Sequence, residues 1–278
     1  MMIARFAPSP TGPLHLGHAY AAIFAYELAM ENGGSLLLRF EDIDVTRVRD
    51  QYYLAIERDL AWLGIHWDGT PMRQKDRLPA YTESLQKLKS LEVVYPCFCT
   101  RREIQQELKT MIHAPHGPEG DAMYPGTCRN LTPTERAERI GQGQAHCWRL
   151  HAHRAIDFTG PLVFQDQIKG RVDVEPLLLG DVVLARKDIA TSYHLAVVTD
   201  DHVQGVTDVT RGEDLLPSTH VHRILQSLLG LAVPVYHHHR LIVDEAGKRL
   251  AKRDDALSLA TFRDQGKRRE DILAMLCP

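Results

Sequence analysis

The chain has 278 residues, 44% hydrophobic and 25% charged, with a formal net charge of −3, which suits a globular protein of one large or two modest domains and excludes a globally basic nucleic-acid binder. No apolar run approaches the roughly 20 residues of a membrane span, and no signal-peptide pattern precedes the first strand. Five cysteines, an odd number and mostly in one region, argue against a disulfide framework and for a reducing, cytoplasmic setting.

Residues 1–95 alternate between strand and helix patterns. Ile3 to Ala7 reads as a short strand, Leu16 to Glu31 as a helix rich in helix formers, and SLLLRFED (35–42) as a buried strand entered through Gly33-Gly34. A helix over 47–64 ends at Gly64, a C-cap residue, and another over 78–92 carries Pro79 in its first turn. Strands and helices of this length imply right-handed crossovers and a parallel sheet.

Between 96 and 175 the texture changes. This stretch holds four of the five cysteines, the Gly/Pro-rich HAPHGPEGDAMYPGTC (113–128), a polar helix TPTERAERIG (132–141), and strand-like HCWRLHA (146–152) and RAIDFTG (154–160). It reads as a small insertion with its own local stabiliser. The parallel-strand pattern resumes with DVVLARKD (181–188) and SYHLAVVTDDH (192–202), then VTDVTRGEDLL (206–216). A helix, THVHRILQSLLG (219–230), precedes YHHHRLIVD (236–244) and the basic GKRLAKRDD (247–255). The expected organisation is an α/β, Rossmann-like doubly wound parallel sheet split into 1–95 and 176–236, with the insertion at 96–175. Residues 237–278 form a basic loop and a short helical C-terminal segment.

RFAPSPTGPLHLGH (5–18) leads from the first strand into the first helix. A helix N-terminus offers unpaired N–H groups and a partial positive charge, a natural anion site. His15 and His18 add side-chain donors there, and Gly17 removes a Cβ that would obstruct a close ligand. Far along the chain, Lys252 sits in a basic loop, where a mobile ammonium can swing onto phosphates as pyrophosphate departs. The His237-His238-His239 run lies in a strand or loop, and alternation would send its rings to opposite faces. It reads as structural or cleft-lining rather than as a shared metal site.

With these residues in view, the whole chain resembles the catalytic part of the glutamyl-tRNA synthetases, which are class I aminoacyl-tRNA synthetases. RFAPSPTGPLHLGHA matches the first family signature, with His15, Leu16, Gly17 and His18 in the HIGH positions. RLAKR (249–253) takes the KMSKS positions, Arg249 replacing the first lysine and Ala251 the serine, while the second lysine is kept as Lys252. The resemblance implies ATP with Mg²⁺, bound by His15, Gly17, His18, Arg249 and Lys252, with His15, His18 and Lys252 catalytic through charge stabilisation. Glutamate carries two carboxylates and one ammonium, so its pocket needs cations and an anion, and arginine's planar fork suits carboxylates. By resemblance Arg5, Ala7, Ser9, Glu41, Tyr193 and Arg211 take the glutamate-contacting positions, Glu41 on the ammonium and the arginines on the carboxylates. His194, Asp42 and Asp44 lie near the same sheet edge as supporting groups.

Cys97 and Cys99 in PCFCTRRE and Cys128 in MYPGTC suggest a structural zinc, which wants four ligands in a tetrahedron. From chemistry alone the fourth is His113, His116 or Cys147. The resemblance instead implies Tyr124, because the tRNA-modifying branch of the family carries C-x-C…Y-x3-C. That branch, the glutamyl-Q tRNA(Asp) synthetases, is also the truncated one, which implies no anticodon-binding domain. It implies activation of L-glutamate without tRNA, then transfer to the queuosine base at the wobble position of tRNA(Asp), by a cytoplasmic monomer with no membrane partner. Rival readings are a truncated synthetase charging a tRNA acceptor end, a small-molecule nucleotidyltransferase, and a non-catalytic tRNA-binding paralogue.

Overall fold

The computed structural model describes residues 1–110, 123–242 and 258–276. Arg249, Lys252, His113 and His116 lie outside the described residues. In chain order, the first half comprises β1 (Ile3–Phe6), α1 (Leu16–Glu31), β2 (Ser35–Phe40), α2 (Asp50–Trp62), β3 (Met72–Arg73), α3 (Leu78–Ser90), β4 (Val94–Cys97) and α4 (Arg101–Thr110). The second half comprises α5 (Pro133–Gly141), β5 (Cys147–Leu150), α6 (Ala152–Thr159), β6 (Val163–Asp166), β7 (Gly170–Asp173), β8 (Val183–Ala185), α7 (Tyr193–Val203), β9 (Asp208–Gly212), α8 (Leu216–Leu229), β10 (Val235–His239), α9 (Leu259–Asp264) and α10 (Arg269–Leu276).

Two parallel sheets form the nucleotide-fold body. One has the order β1-β2-β3; in the other, β7-β6-β10-β9, only the β6–β7 hairpin is antiparallel. They abut where β9 runs beside β1: the N–H of Thr207 donates to the Ile3 carbonyl at 3.0 Å, and the N–H of Ile3 to the Thr207 hydroxyl at 2.8 Å. A third sheet, β4-β5-β8, is antiparallel and belongs to the cysteine-bearing region. Sheet membership thus runs across the expected boundary at 175, since β6 joins the parallel body and β8 joins the cysteine-bearing sheet.

Two apolar layers hold this arrangement. The β1–β2 face packs on α1 and α2 through Ala4, Leu36, Leu38, Ile23 and Ile56, and Leu259 and Ile272 bring the C-terminal helices onto the same core. A second core joins Leu88 of α3, Leu195 and Val198 of α7, and Ile224 and Leu225 of α8. Burying such aliphatic side chains is worth roughly 1.5–3 kcal/mol each relative to exposure. The first core fixes β1 and β2, and Val209 of β9 packs with Phe164 and Tyr236 against Leu37 of β2, so that the C-terminal ends of β1, β2 and β9 open on one cleft.

Besides β8, expected in the parallel sheet and found in the antiparallel one, two segments with strand-like patterns are helices. RAIDFTG forms helix α6 rather than a strand: the His151 ring accepts the Arg154 N–H at 3.3 Å to cap the helix, Ala152 and Ala155 face inward at helical spacing, and Gly160 ends it at φ 63°. SYHLAVVTDDH forms helix α7, buried continuously from Leu195 to Asp201 between α3 and α8. A run buried on every side loses its helical period, so pattern alone could not separate it from a strand. Gly64, in the left-handed region at φ 69°, follows α2 as expected.

Candidate active site

The cleft has a volume of about 610 Å³ and opens at the C-terminal ends of β1, β2 and β9. That is where ligands bind in open α/β sheets. Arg5, Ala7, Ser9, His15, Gly17, His18, Glu41, Tyr193 and Arg211 all line it. The structure therefore brings together every sequence-predicted ATP and glutamate residue that lies within the described residues.

His15 and His18 cap α1 for each other. The Gly17 N–H donates to His15 Nδ1 at 3.1 Å, the His15 N–H donates to His18 Nδ1 at 3.2 Å, and the ring centroids lie 3.9 Å apart. Backbone N–H groups cannot accept, so each Nδ1 holds a lone pair and each neutral ring carries its proton on Nε2. The helix start thus gains two imidazole donors beside its own positive end. Gly17 has a nearer reason than ligand access, because a Cβ there would lie 3.1 Å from Cε1 of His15.

The segment after 257 returns to this point. Ser258 forms a backbone bridge with His15, and the Leu259 N–H donates to the Leu14 carbonyl at 2.9 Å. On the other side, Arg240, Leu241 and Ile242 line the cleft. Both described flanks of residues 243–257, which carry Arg249 and Lys252, are therefore at the cleft.

Charged side chains make up the opposite wall. Arg5 donates through Nε to Asp201 at 3.0 Å and through Nη1 to the Thr210 carbonyl at 3.0 Å. Arg39, fully buried, donates to the same Asp201 oxygen at 2.7 Å and to Gln204 at 2.9 Å. Burial pushes the Asp201 carboxyl up, but the charges of Arg5 and Arg39 overcome it and hold it below the usual carboxylate range. Glu41 behaves oppositely: burial pushes its carboxyl up to about 7, although Arg39 and Arg5 pull it down. A half-buried carboxylate on the cleft wall has the charge to pair with a cation, which would stabilise its ionised form. Arg211 touches Tyr193, His222, His238 and Thr219.

Several functional contacts escaped the sequence reading. Asp201 and Arg39 lie 162 positions apart, and the only signal was a charge inside each of two apolar runs. Asp42 and Asp44 do not line the cleft. Asp42 accepts from the Tyr53 hydroxyl at 2.6 Å and the Lys75 N–H at 2.8 Å, while Asp44 pairs with Arg47 and Arg186. The histidine run alternates as expected: His237 meets Asp208, His238 meets Asp166, and His239 lines the cleft against Tyr20.

The sulfurs of Cys97, Cys99 and Cys128 lie within 4.8 Å of one another, Cys99 and Cys128 at 3.4 Å. Zn–S bonds of about 2.3 Å in a tetrahedron put sulfurs about 3.8 Å apart, so this spacing suits a metal. The Tyr124 hydroxyl lies 3.7 Å from Cys99 Sγ and accepts the Cys128 N–H at 2.8 Å, under an Arg149 guanidinium 3.9 Å from its ring. Hydrogen bonds from the Cys128 and Cys147 thiols hold the Cys97 thiol well below its ordinary range, whereas burial raises the Tyr124 phenol. Cys147 opposes Cys97 across the β4–β5 ladder but is outside the three-sulfur group. The donor set fits one metal ion.

The chain matches the family model described as tRNA synthetases class I (E and Q), catalytic domain, over residues 1–278. Among curated relatives, the glutamyl-Q tRNA(Asp) synthetase of Rhodobacter capsulatus is 50% identical over 281 residues, covering 99% of each chain. That of Nocardia farcinica is 45% identical, covering 98% of this chain and 82% of its own. Among solved structures, the glutamate-tRNA synthetase of Elizabethkingia anophelis superposes with a TM-score of 0.81 at 28% identity, covering 97% of this chain and 59% of that one. No described helix is long and apolar enough to cross a membrane.

Proposed function

The chain belongs to the class I tRNA synthetase (E and Q) catalytic-domain family, a family of ligases, and from that premise we propose that it activates L-glutamate with ATP and transfers it to the queuosine base of tRNA(Asp). The glutamate α-carboxylate attacks the α-phosphorus in line, the bond to the β-phosphate oxygen breaks, and pyrophosphate leaves. Such a reaction is driven by positioning and charge stabilisation. His15 and His18 donate from Nε2 to the nucleotide's phosphates, Gly17 leaves room for the His15 ring, and Arg249 and Lys252 close from the basic segment. Mg²⁺ carried with ATP would supply charge neutralisation at the outer phosphates.

Glu41 receives the substrate ammonium, Arg5 and Arg211 receive its carboxylates, and Ala7, Ser9 and Tyr193 shape the pocket between them. In the second half-reaction a hydroxyl of queuosine's cyclopentenediol, chemically like a ribose cis-diol, attacks the activated carbonyl and AMP departs. Cys97, Cys99, Tyr124 and Cys128 would hold a structural Zn²⁺ that fixes the shape of the cysteine-bearing region. The working unit is a cytoplasmic monomer.

The observation that carries this reading is the shared cleft, with a histidine-capped helix start on one wall and Arg5, Glu41 and Arg211 on the other. The relatives' name, at 50% identity over 99% of each chain, supports the choice of acceptor. The test is glutamyl transfer to tRNA(Asp) with and without queuosine, each also prepared without its terminal adenosine. Transfer should need queuosine and survive loss of the terminal adenosine; transfer that needs the adenosine would make the protein an acceptor-end synthetase.

A further inference from the structure

Arg211 differs from its neighbours in what holds it. Arg5 and Arg39 share the carboxylate of Asp201. Arg211 is as deeply buried as Arg5, at 5% exposure, yet no carboxylate is among its polar partners within the described residues. Those partners are the Tyr193 hydroxyl at 3.3 Å, His222 Nδ1 at 3.1 Å, His238 Nε2 at 3.3 Å and the Thr219 hydroxyl at 2.5 Å.

A guanidinium has five N–H donors and no acceptor, so each partner must offer it a lone pair. That requirement fixes two tautomers. His222 accepts at Nδ1, so its proton is on Nε2 and is donated to His194 Nδ1 at 3.2 Å. His238 Nε2 accepts from Arg211 Nε at 3.3 Å and from the Thr219 hydroxyl at 2.8 Å, so its proton is on Nδ1, 2.5 Å from Asp166 Oδ2. Asp166 is fully buried and also accepts the N–H groups of Ile168 and Lys169, each at 2.8 Å. Burial holds His222 well below the ordinary imidazole range and brings His238 down to about 4, so both rings are neutral at neutral pH.

The consequence is electrostatic. A carboxylate at either ring's position would hold the fork equally well while cancelling its charge. Two neutral rings orient the fork and leave the charge intact. Four N–H groups are taken by these partners, and one Nη2–H remains on a side chain that lines the cleft. Resting on the glutamate reading of that cleft, we infer that His222 and His238 are specificity-determining positioning residues. They hold Arg211 by lone pairs alone, so that its charge, facing the substrate's side-chain carboxylate, selects a carboxylate substrate over the corresponding carboxamide.

The experiment is ATP–pyrophosphate exchange with glutamate and with glutamine, on the wild-type chain and on His222→Glu, His222→Leu and His222→Asn, with thermal unfolding of each. His222→Glu should raise the glutamate KM about 30-fold, keep kcat within about threefold, and shrink the glutamate-over-glutamine preference at least about tenfold. His222→Leu should raise KM without shrinking the preference as far. His222→Asn, whose Oδ1 can stand where Nδ1 stood, should recover most of the loss. Unchanged KM and preference in His222→Glu overturn the inference; if that variant does not fold, equal KM values in His222→Leu and His222→Asn overturn it. A wild-type chain without glutamate-dependent exchange sinks the functional reading itself, whereas wild-type exchange with indifferent variants sinks this inference alone.

Discussion

Ser258 pairs through its backbone with His15. The chain thus comes back to the first imidazole of the helix cap directly after the segment that carries Lys252, and Ile242 at the other end of that segment lines the same cleft. The described flanks of that segment thus meet at the α1 N-terminus and the cleft, and the proposed role of Lys252 is to stabilise phosphate charge there. Lys252→Ala should lower glutamate-dependent exchange by on the order of 10²-fold, the usual effect of losing a transition-state charge donor. Its glutamate KM should barely move. An exchange rate within about twofold of wild type would remove Lys252 from the mechanism.

Glu41 supplies a pH signature. Its carboxyl is raised to about 7 chiefly by burial, and only the ionised form attracts an ammonium. In the free enzyme kcat/KM for glutamate should be flat above about pH 7 and fall about tenfold per unit below it. Glu41→Gln should be weak and flat over the same range. A wild-type profile without this acid limb would show that Glu41 does not receive the ammonium.

Arg211→Ala should raise the glutamate KM by on the order of 10²-fold, because a buried cation facing a carboxylate is lost. Isothermal titration with glutamate alone is the check, and wild-type affinity in the variant would contradict the role.

Asp201 is a keystone of the same wall. It sits between the guanidiniums of Arg5 and Arg39 at 3.0 and 2.7 Å. Asp201→Asn leaves two buried cations without their anion, which should cost about 3–5 kcal/mol of stability. Denaturant unfolding measures it; a loss below about 1 kcal/mol would show the pair to be self-sufficient.

The metal reading is tested by composition. Wild-type protein should carry one zinc per chain, and Cys128→Ser should lose most of it together with thermal stability. Cys147→Ser should keep it, because Cys147 stands outside the three-sulfur group. A zinc-free wild type, or full zinc in Cys128→Ser, would return these thiols to ordinary packing.

Legibility followed the range of the interactions. β1, α1 and β2 were readable because two short apolar strand patterns flank a segment rich in helix formers, whose buried positions in α1 are mostly alanine. The cleft residues were readable chiefly because RFAPSPTGPLHLGHA resembles a known family signature, while Arg5, Glu41 and Arg211, charges at the ends of apolar strand patterns, gave an added chemical reason. What stayed hidden was non-local. Nothing in the sequence links Arg39 to Asp201, or Arg211 to Asp166 through His238, since the fold alone makes them neighbours. Helix α7 was hidden for a second reason, as burial on every side erased its period.

The central claim is that one cleft holds ATP on its histidine wall and glutamate on its arginine wall, without needing tRNA. Its most direct test is ATP–pyrophosphate exchange by the wild-type chain across all twenty amino acids, with Mg²⁺ and no tRNA. The account predicts exchange with glutamate and only background with the others, glutamine and aspartate included. Background exchange with saturating glutamate, or equal exchange with glutamine, would contradict it.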